Sequence, residues 1–135
     1  MSFQLEICTN SIQSALAAQA GGAHRIELCQ NLEQGGITPS YGLIRQVLVQ
    51  VHLPVFVLIR PRGGDFVYDD AEFAIMQADI QQCRELGCAG VVIGMLMASG
   101  QVDVARCHAL VALAHPLAVT FHRAFDDCIN YQQAL

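Results

Sequence analysis

Short apolar runs alternate with longer amphipathic stretches along the whole chain, and this rhythm restricts the fold more than any other feature. Residues 4–8, 24–29, 54–60, 89–94 and 117–122 read as strands. Helical periodicity fills the gaps between them. Asn10 is placed to cap a helix reaching Ala20, with Gly21-Gly22 as its left-handed stop. Thr38 followed by Pro39 reads as a cap with proline at the first helical position. The helix after it turns Leu43, Ile44, Val47, Leu48 and Val51 inward. Asp69 or Asp70 opens a third helix, with Phe73, Met76, Ile80 and Cys83 inward and Gly87 at its end. Asp103 opens a fourth, with Cys107, Leu110, Val111 and Ala114 inward, ending at Pro116. The pattern is four βα units, a fifth strand and the start of its helix, within a single domain over residues 1–135.

Regular βα alternation implies a parallel sheet with right-handed crossovers. An open doubly wound sheet and a (β/α) barrel both satisfy that. Residues 8–11, at the first βα turn, lack the GxGxxG phosphate fingerprint, so no nucleotide cofactor is expected. Strands recur at the spacing of an eight-unit barrel of about 250 residues. The expected fold is therefore α/β and TIM-barrel-like, with about four and a half of eight units present.

Composition narrows the partners. A net charge of −5 with seven basic residues scattered along the chain argues against a nucleic-acid surface. No apolar run approaches the roughly 20 residues of a membrane span, and no basic segment precedes an apolar one at the N-terminus. The six cysteines contain no CxxC pair, and reduced thiols in the cytoplasm are the expectation.

The densest polar motif is Arg60-Pro61-Arg62-Gly63-Gly64-Asp65, which directly follows the most apolar strand. Loops after parallel strands are where such scaffolds keep their chemistry. A solvated loop held by an internal Arg–Asp pair is the plainer account. Strand alternation groups Glu6 with Cys8, Arg25 with Glu27 and Cys29, Phe56 with Leu58 and Arg60, and Thr120 with His122. Matched strand ends would set Glu6 beside Glu27 and Cys8 beside Cys29, with Arg60 and His122 as cations for the carboxylates. Two chemistries fit those positions. Cys8 and Cys29 offer soft thiolate ligands suited to Cu(I). Alternatively, Glu6, Glu27 and His122 supply acid–base groups while Arg60 and Arg62 bind the carboxylate or phosphate of a small anionic metabolite. A structural ion cluster and simple thiol packing explain the same residues without function.

Several long motifs share one resemblance. Leu5-Glu6-Ile7-Cys8, Gly22-Ala23-His24-Arg25-Ile26-Glu27-Leu28-Cys29, Gly35-Gly36-Ile37-Thr38-Pro39-Ser40, the stretch 59–66 and Thr120-Phe121-His122-Arg123-Ala124-Phe125-Asp126 resemble the CutC family of copper homeostasis proteins. The resemblance spans the chain. It implies a TIM-barrel-like fold, a cytoplasmic location, a homo-oligomer, and copper tolerance or Cu(I) binding. Family members run to about twice this length, in keeping with the barrel size above. A four-and-a-half-unit barrel leaves strand edges open, so the chain is expected to dimerise or associate further.

Overall fold

The computed structural model describes residues 2–135 and contains one parallel sheet in the order β1-β2-β3-β4-β5. The strands are β1 (Glu6–Thr9), β2 (Arg25–Leu28), β3 (Val55–Leu58), β4 (Gly90–Ile93) and β5 (Ala118–Phe121). Between them run α1 (Ile12–Ala20), α2 (Tyr41–Gln50), α3 (Asp70–Leu86) and α4 (Val104–Ala114), and α5 (Tyr131–Ala134) follows β5. Strictly sequential strand order decides between the two candidate architectures. A doubly wound sheet reverses its order to place helices on both faces, whereas a barrel winds steadily and keeps them on one.

The packing agrees. Ile26, Leu28, Val55, Val57, Val91 and Ile93 face the helices and pack with Ala15, Ile44, Val47, Met76, Ile80 and Leu110 in one buried cluster. The alternate strand positions Phe56, Leu58 and Val92 join Cys29 in a separate cluster on the opposite, concave face. The parity read from the sequence is the parity of the fold. Among the described residues β1 pairs only with β2, and β5 only with β4, so the outer edge of each has no strand partner there.

The helix ends depart from expectation in three places. Ser11, not Asn10, caps α1: its side chain accepts from Ser14 N–H, and the Ser14 hydroxyl accepts from the Ser11 amide. Gly21 stays right-handed, and Gly22 takes the positive φ of 90°. Ser40, not Thr38, caps α2. The Thr38 hydroxyl is occupied elsewhere, accepting from Arg60 N–H at 2.7 Å and donating to Arg60 C=O at 3.1 Å. Val111 is exposed at 46%, because it follows the buried Leu110 by one residue and so turns about 100° away from the core. Asp69 and Asp103 cap α3 and α4 as expected, and Gly87 ends α3 in the left-handed conformation.

One register differs. Glu6 lies opposite Arg25 and Cys8 opposite Glu27, two residues out of step with the expected pairing of like motif positions. Strands closing into a barrel are tilted and sheared, so equivalent motif positions need not share a level.

Candidate functional site

At the carboxyl ends of the strands, on the concave face, lies a cavity of about 250 Å³ lined by Glu27, Gly35, Leu58, Arg60, Phe66, Val92, Thr120, His122 and Arg123. Four consecutive strands, β2 to β5, contribute, with the loops after β2, β3 and β5. This is the end of a parallel β/α sheet at which ligands are held.

Arg60 continues the inward face of β3 one step beyond Leu58 and is only 2% exposed. It does not meet either glutamate. Its Nη1 donates to the carbonyls of Gln34 (2.9 Å) and Gly36 (2.8 Å), and its Nη2 to that of Gly64 (2.7 Å). The guanidinium thereby ties the loop after β2 to the loop after β3, with the Phe66 ring 4.9 Å beneath its central carbon. Its Nε is buried without a partner.

His122 directly follows β5. Its Nδ1 accepts from Ala124 N–H at 3.1 Å, so the neutral ring carries its proton on Nε2. That nitrogen too is buried and unpartnered. Burial, and then the charges of Arg60 and Arg123, push the His122 pKa down to about 4, leaving a neutral donor at physiological pH.

The cation beside the glutamates is Arg25, which binds Glu6 through Nε at 2.5 Å and lies over the Phe56 ring. Glu27 lines the cavity instead. Burial raises its pKa most, the neighbouring Glu6 adds to the rise, and Arg25 opposes it. The expected adjacency of the two carboxylates is thus felt electrostatically, although Arg25 takes the role given to Arg60. Arg62 is not brought to the cavity. It donates to Glu72 at 2.6 Å and to Val67 C=O at 2.7 Å, and pairs with Asp65 at 3.0 Å, bracing its own loop against α3.

Cys8 and Cys29 do meet, with their sulfurs 3.6 Å apart. Cys8 is exposed and Cys29 buried, the latter also 3.6 Å from Thr9 C=O. Burial first, then Cys8, pushes the Cys29 thiol up to about 12; burial also raises Cys8. Among the described residues no group of three or more His, Cys, Asp or Glu is arranged to hold a metal. Any metal here rests on two thiolates.

Sequence reasoning did not single out Arg25 or Arg123 as site residues. Both carried a signal: Arg25 shares strand parity with Glu27, and Arg123 follows the strand-end histidine. Gly35 was likewise missed. With φ of 83°, it approaches so closely that a Cβ there would stand 2.5 Å from Arg123 Nη2 and 3.1 Å from Arg60 Nη1.

Sequential strands, helices on one face and a polar cavity at the carboxyl ends define a protein of the TIM-barrel class, represented here by five strands. The structural comparison agrees. A crystal structure from Streptococcus agalactiae, named as the copper homeostasis protein CutC, superposes with a TM-score of 0.86 at 37% identity, over 94% of this chain and 62% of that one. The CutC family profile matches residues 3–135, and the chain belongs to that family. Curated relatives named CutC include proteins of Chromobacterium violaceum and Salmonella typhi, each 54% identical over 131 residues and 97% of this chain. That of Proteus mirabilis is 51% identical over 132 residues. The chain spans about half the length of these relatives, 53%, 51% and 53% respectively. A structure from Burkholderia cenocepacia described as a phosphonomutase, 18% identical with a TM-score of 0.57, shares the fold alone.

Proposed function

We propose that the chain takes part in copper homeostasis by binding Cu(I) between Cys8 and Cys29. The contact of the two sulfurs, 3.6 Å apart, carries this reading. Soft thiolates suit Cu(I), and the exposed Cys8 gives an entry path to the buried Cys29. A metal held linearly between the two sulfurs needs them farther apart than the 3.6 Å seen here, so the pair has to part on binding. The copper homeostasis name of the Streptococcus agalactiae relative is consistent with this role. The reading includes a cytoplasmic location, where the thiols stay reduced, a homo-oligomeric state, and no nucleic-acid or membrane partner. No helix among the described residues is long and apolar enough to cross a membrane.

Anaerobic Cu(I) titration against a competing chelator tests the proposal. Cys8→Ser and Cys29→Ser should each weaken binding at least tenfold, and unchanged affinity in both would sink it. Both thiols hold their protons tightly and must release them to the metal, so affinity should rise as pH rises.

A second reading is favoured by the unpartnered donors on Arg60 and His122 in the neighbouring cavity. In it the barrel is an enzyme acting on a small anionic metabolite, with Glu27 and His122 as acid–base groups and Glu6 holding Arg25 beside them. Saturable turnover of a phosphorylated or carboxylated metabolite, lost in Glu27→Gln, would establish it.

A further inference from the structure

Arg60 and His122 offer the cavity more hydrogen-bond donors than the fold consumes. Three of the five guanidinium N–H groups of Arg60 reach backbone carbonyls, while its Nε is buried without a hydrogen-bond partner, near the equally unpaired Tyr68 hydroxyl, whose ionisation burial opposes and the Arg60 charge and hydrogen bonding favour. The Nε2–H of His122 is in the same condition, since Nδ1 is taken by the Ala124 amide. Both residues line one cavity. Leaving a buried donor unpaired costs about 1–3 kcal/mol. A third donor group stands close by. The Arg123 and Arg60 guanidiniums both crowd Gly35, where an added Cβ would stand 2.5 and 3.1 Å from them, and both lie over the Phe66 ring, at 5.3 and 4.9 Å from its centre. Two like charges drawn together beside an unpaired neutral donor favour a negatively charged acceptor between them.

We propose that this cavity is an oxyanion site in which Arg60, Arg123 and the Nε2–H of His122 hold the carboxylate or phosphate group of a small metabolite. This rests on the second reading's cavity but not on its acid–base chemistry, and it replaces Arg62 by Arg123 as the second arginine. The volume of about 250 Å³ lies below the roughly 300–1,000 Å³ of drug-sized ligand sites, which restricts the occupant to a few heavy atoms beyond the anionic group. Glu27 on the cavity wall opposes one of the two positive charges and disfavours ligands carrying a second acidic group near it. An anion seated between the guanidiniums also relieves their repulsion of a protonated His122, so occupancy raises the pKa of that ring.

Inorganic phosphate and acetate, titrated separately into the 135-residue chain while the His122 ring resonances are followed by NMR, test the site and distinguish the two headgroups. Saturable binding of either, with an upward shift of the His122 pKa, is expected. Arg123→Gln should weaken it at least tenfold. Arg45→Gln, which removes the same charge from α2, should leave it within about twofold of the parent. Glu27→Gln separates the site from the enzyme reading: it should retain or tighten anion binding even if every turnover assay fails. The proposal is overturned if neither anion saturates at millimolar concentration. It is equally overturned if Arg123→Gln binds like the parent, or if Arg45→Gln loses as much as Arg123→Gln.

Discussion

At Gly94, just past β4, the backbone passes so close to His122 that any Cβ would collide with the imidazole ring. Gly94→Ala should therefore push the ring from its place, at a cost of about 1–3 kcal/mol in urea unfolding, the usual penalty for overpacking. Its NMR signature would be loss of the buried-histidine environment, and a variant with parental stability and an unmoved ring would contradict the packing. The ring also makes stability depend on pH. Its folded pKa, about 4, lies below the ordinary 6.5, so the unfolded chain binds the proton more readily between those values. This contribution is whole above pH 6.5, shrinks as pH falls, and is gone below pH 4. Its size is on the order of 3 kcal/mol. Glu27, raised in the fold, works with the opposite sign and strengthens the fold as pH drops. Comparing parent with His122→Gln isolates the histidine, and a difference in unfolding free energy that is flat from pH 4 to 7 would refute the assignment. Much of this site was legible beforehand. Strand parity placed Glu27, Arg60 and His122 on one face and Cys8 with Cys29, because alternation is a local property of the extended backbone. Parity says nothing of height along the barrel, and height is what gave Glu6 to Arg25 and left Arg60 to the loop carbonyls.

Among the elements, the stretch between β2 and α2 shows what caps can hide. Thr38 followed by Pro39 has the composition of a helix start, yet Thr38 spends its hydroxyl on the Arg60 backbone and Ser40 does the capping. The two roles predict different losses. Ser40→Ala should cost about 1 kcal/mol, as an exposed cap does. Thr38→Val removes a bond donor and acceptor from beneath the buried Arg60, and should cost about 1–3 kcal/mol. It should also loosen the loops that Arg60 ties together, visible as faster amide exchange at Gly64 and Gly36, the residues whose carbonyls Arg60 holds. Equal losses from the two substitutions would return Thr38 to the role of a cap. Asp69, one of the two aspartates expected to open α3, caps it, and the structure adds a reciprocal bond from the Asp69 amide to Glu72. Glu72 accepts from the Asp69 amide through one carboxylate oxygen and from Arg62 Nε through the other, so the cap and the ion pair coexist.

At the scale of the whole chain, the outer edges of β1 and β5 have no strand partner among the described residues. Unpaired parallel edges seek partners. The 135-residue chain is expected to associate through interfaces burying about 2,000 Å² or more in total. Sedimentation velocity at micromolar concentration should show a dimer or larger species, and a stable, cooperatively unfolding monomer of 14.6 kDa would overturn the expectation. At this scale the sequence by itself determined the βα alternation, the parallel sheet, its two faces and the kinship that makes the chain a CutC member. Each of those is written in periodicity or in contiguous motifs. Only the tertiary structure decided the stagger between β1 and β2, the coupling of Arg60 to three loop carbonyls, the meeting of Arg123 with Arg60 over Gly35, and the proton's place on His122 Nε2. Those depend on strand shear and loop closure, which are set by packing among residues far apart in the chain and leave no periodic trace in it.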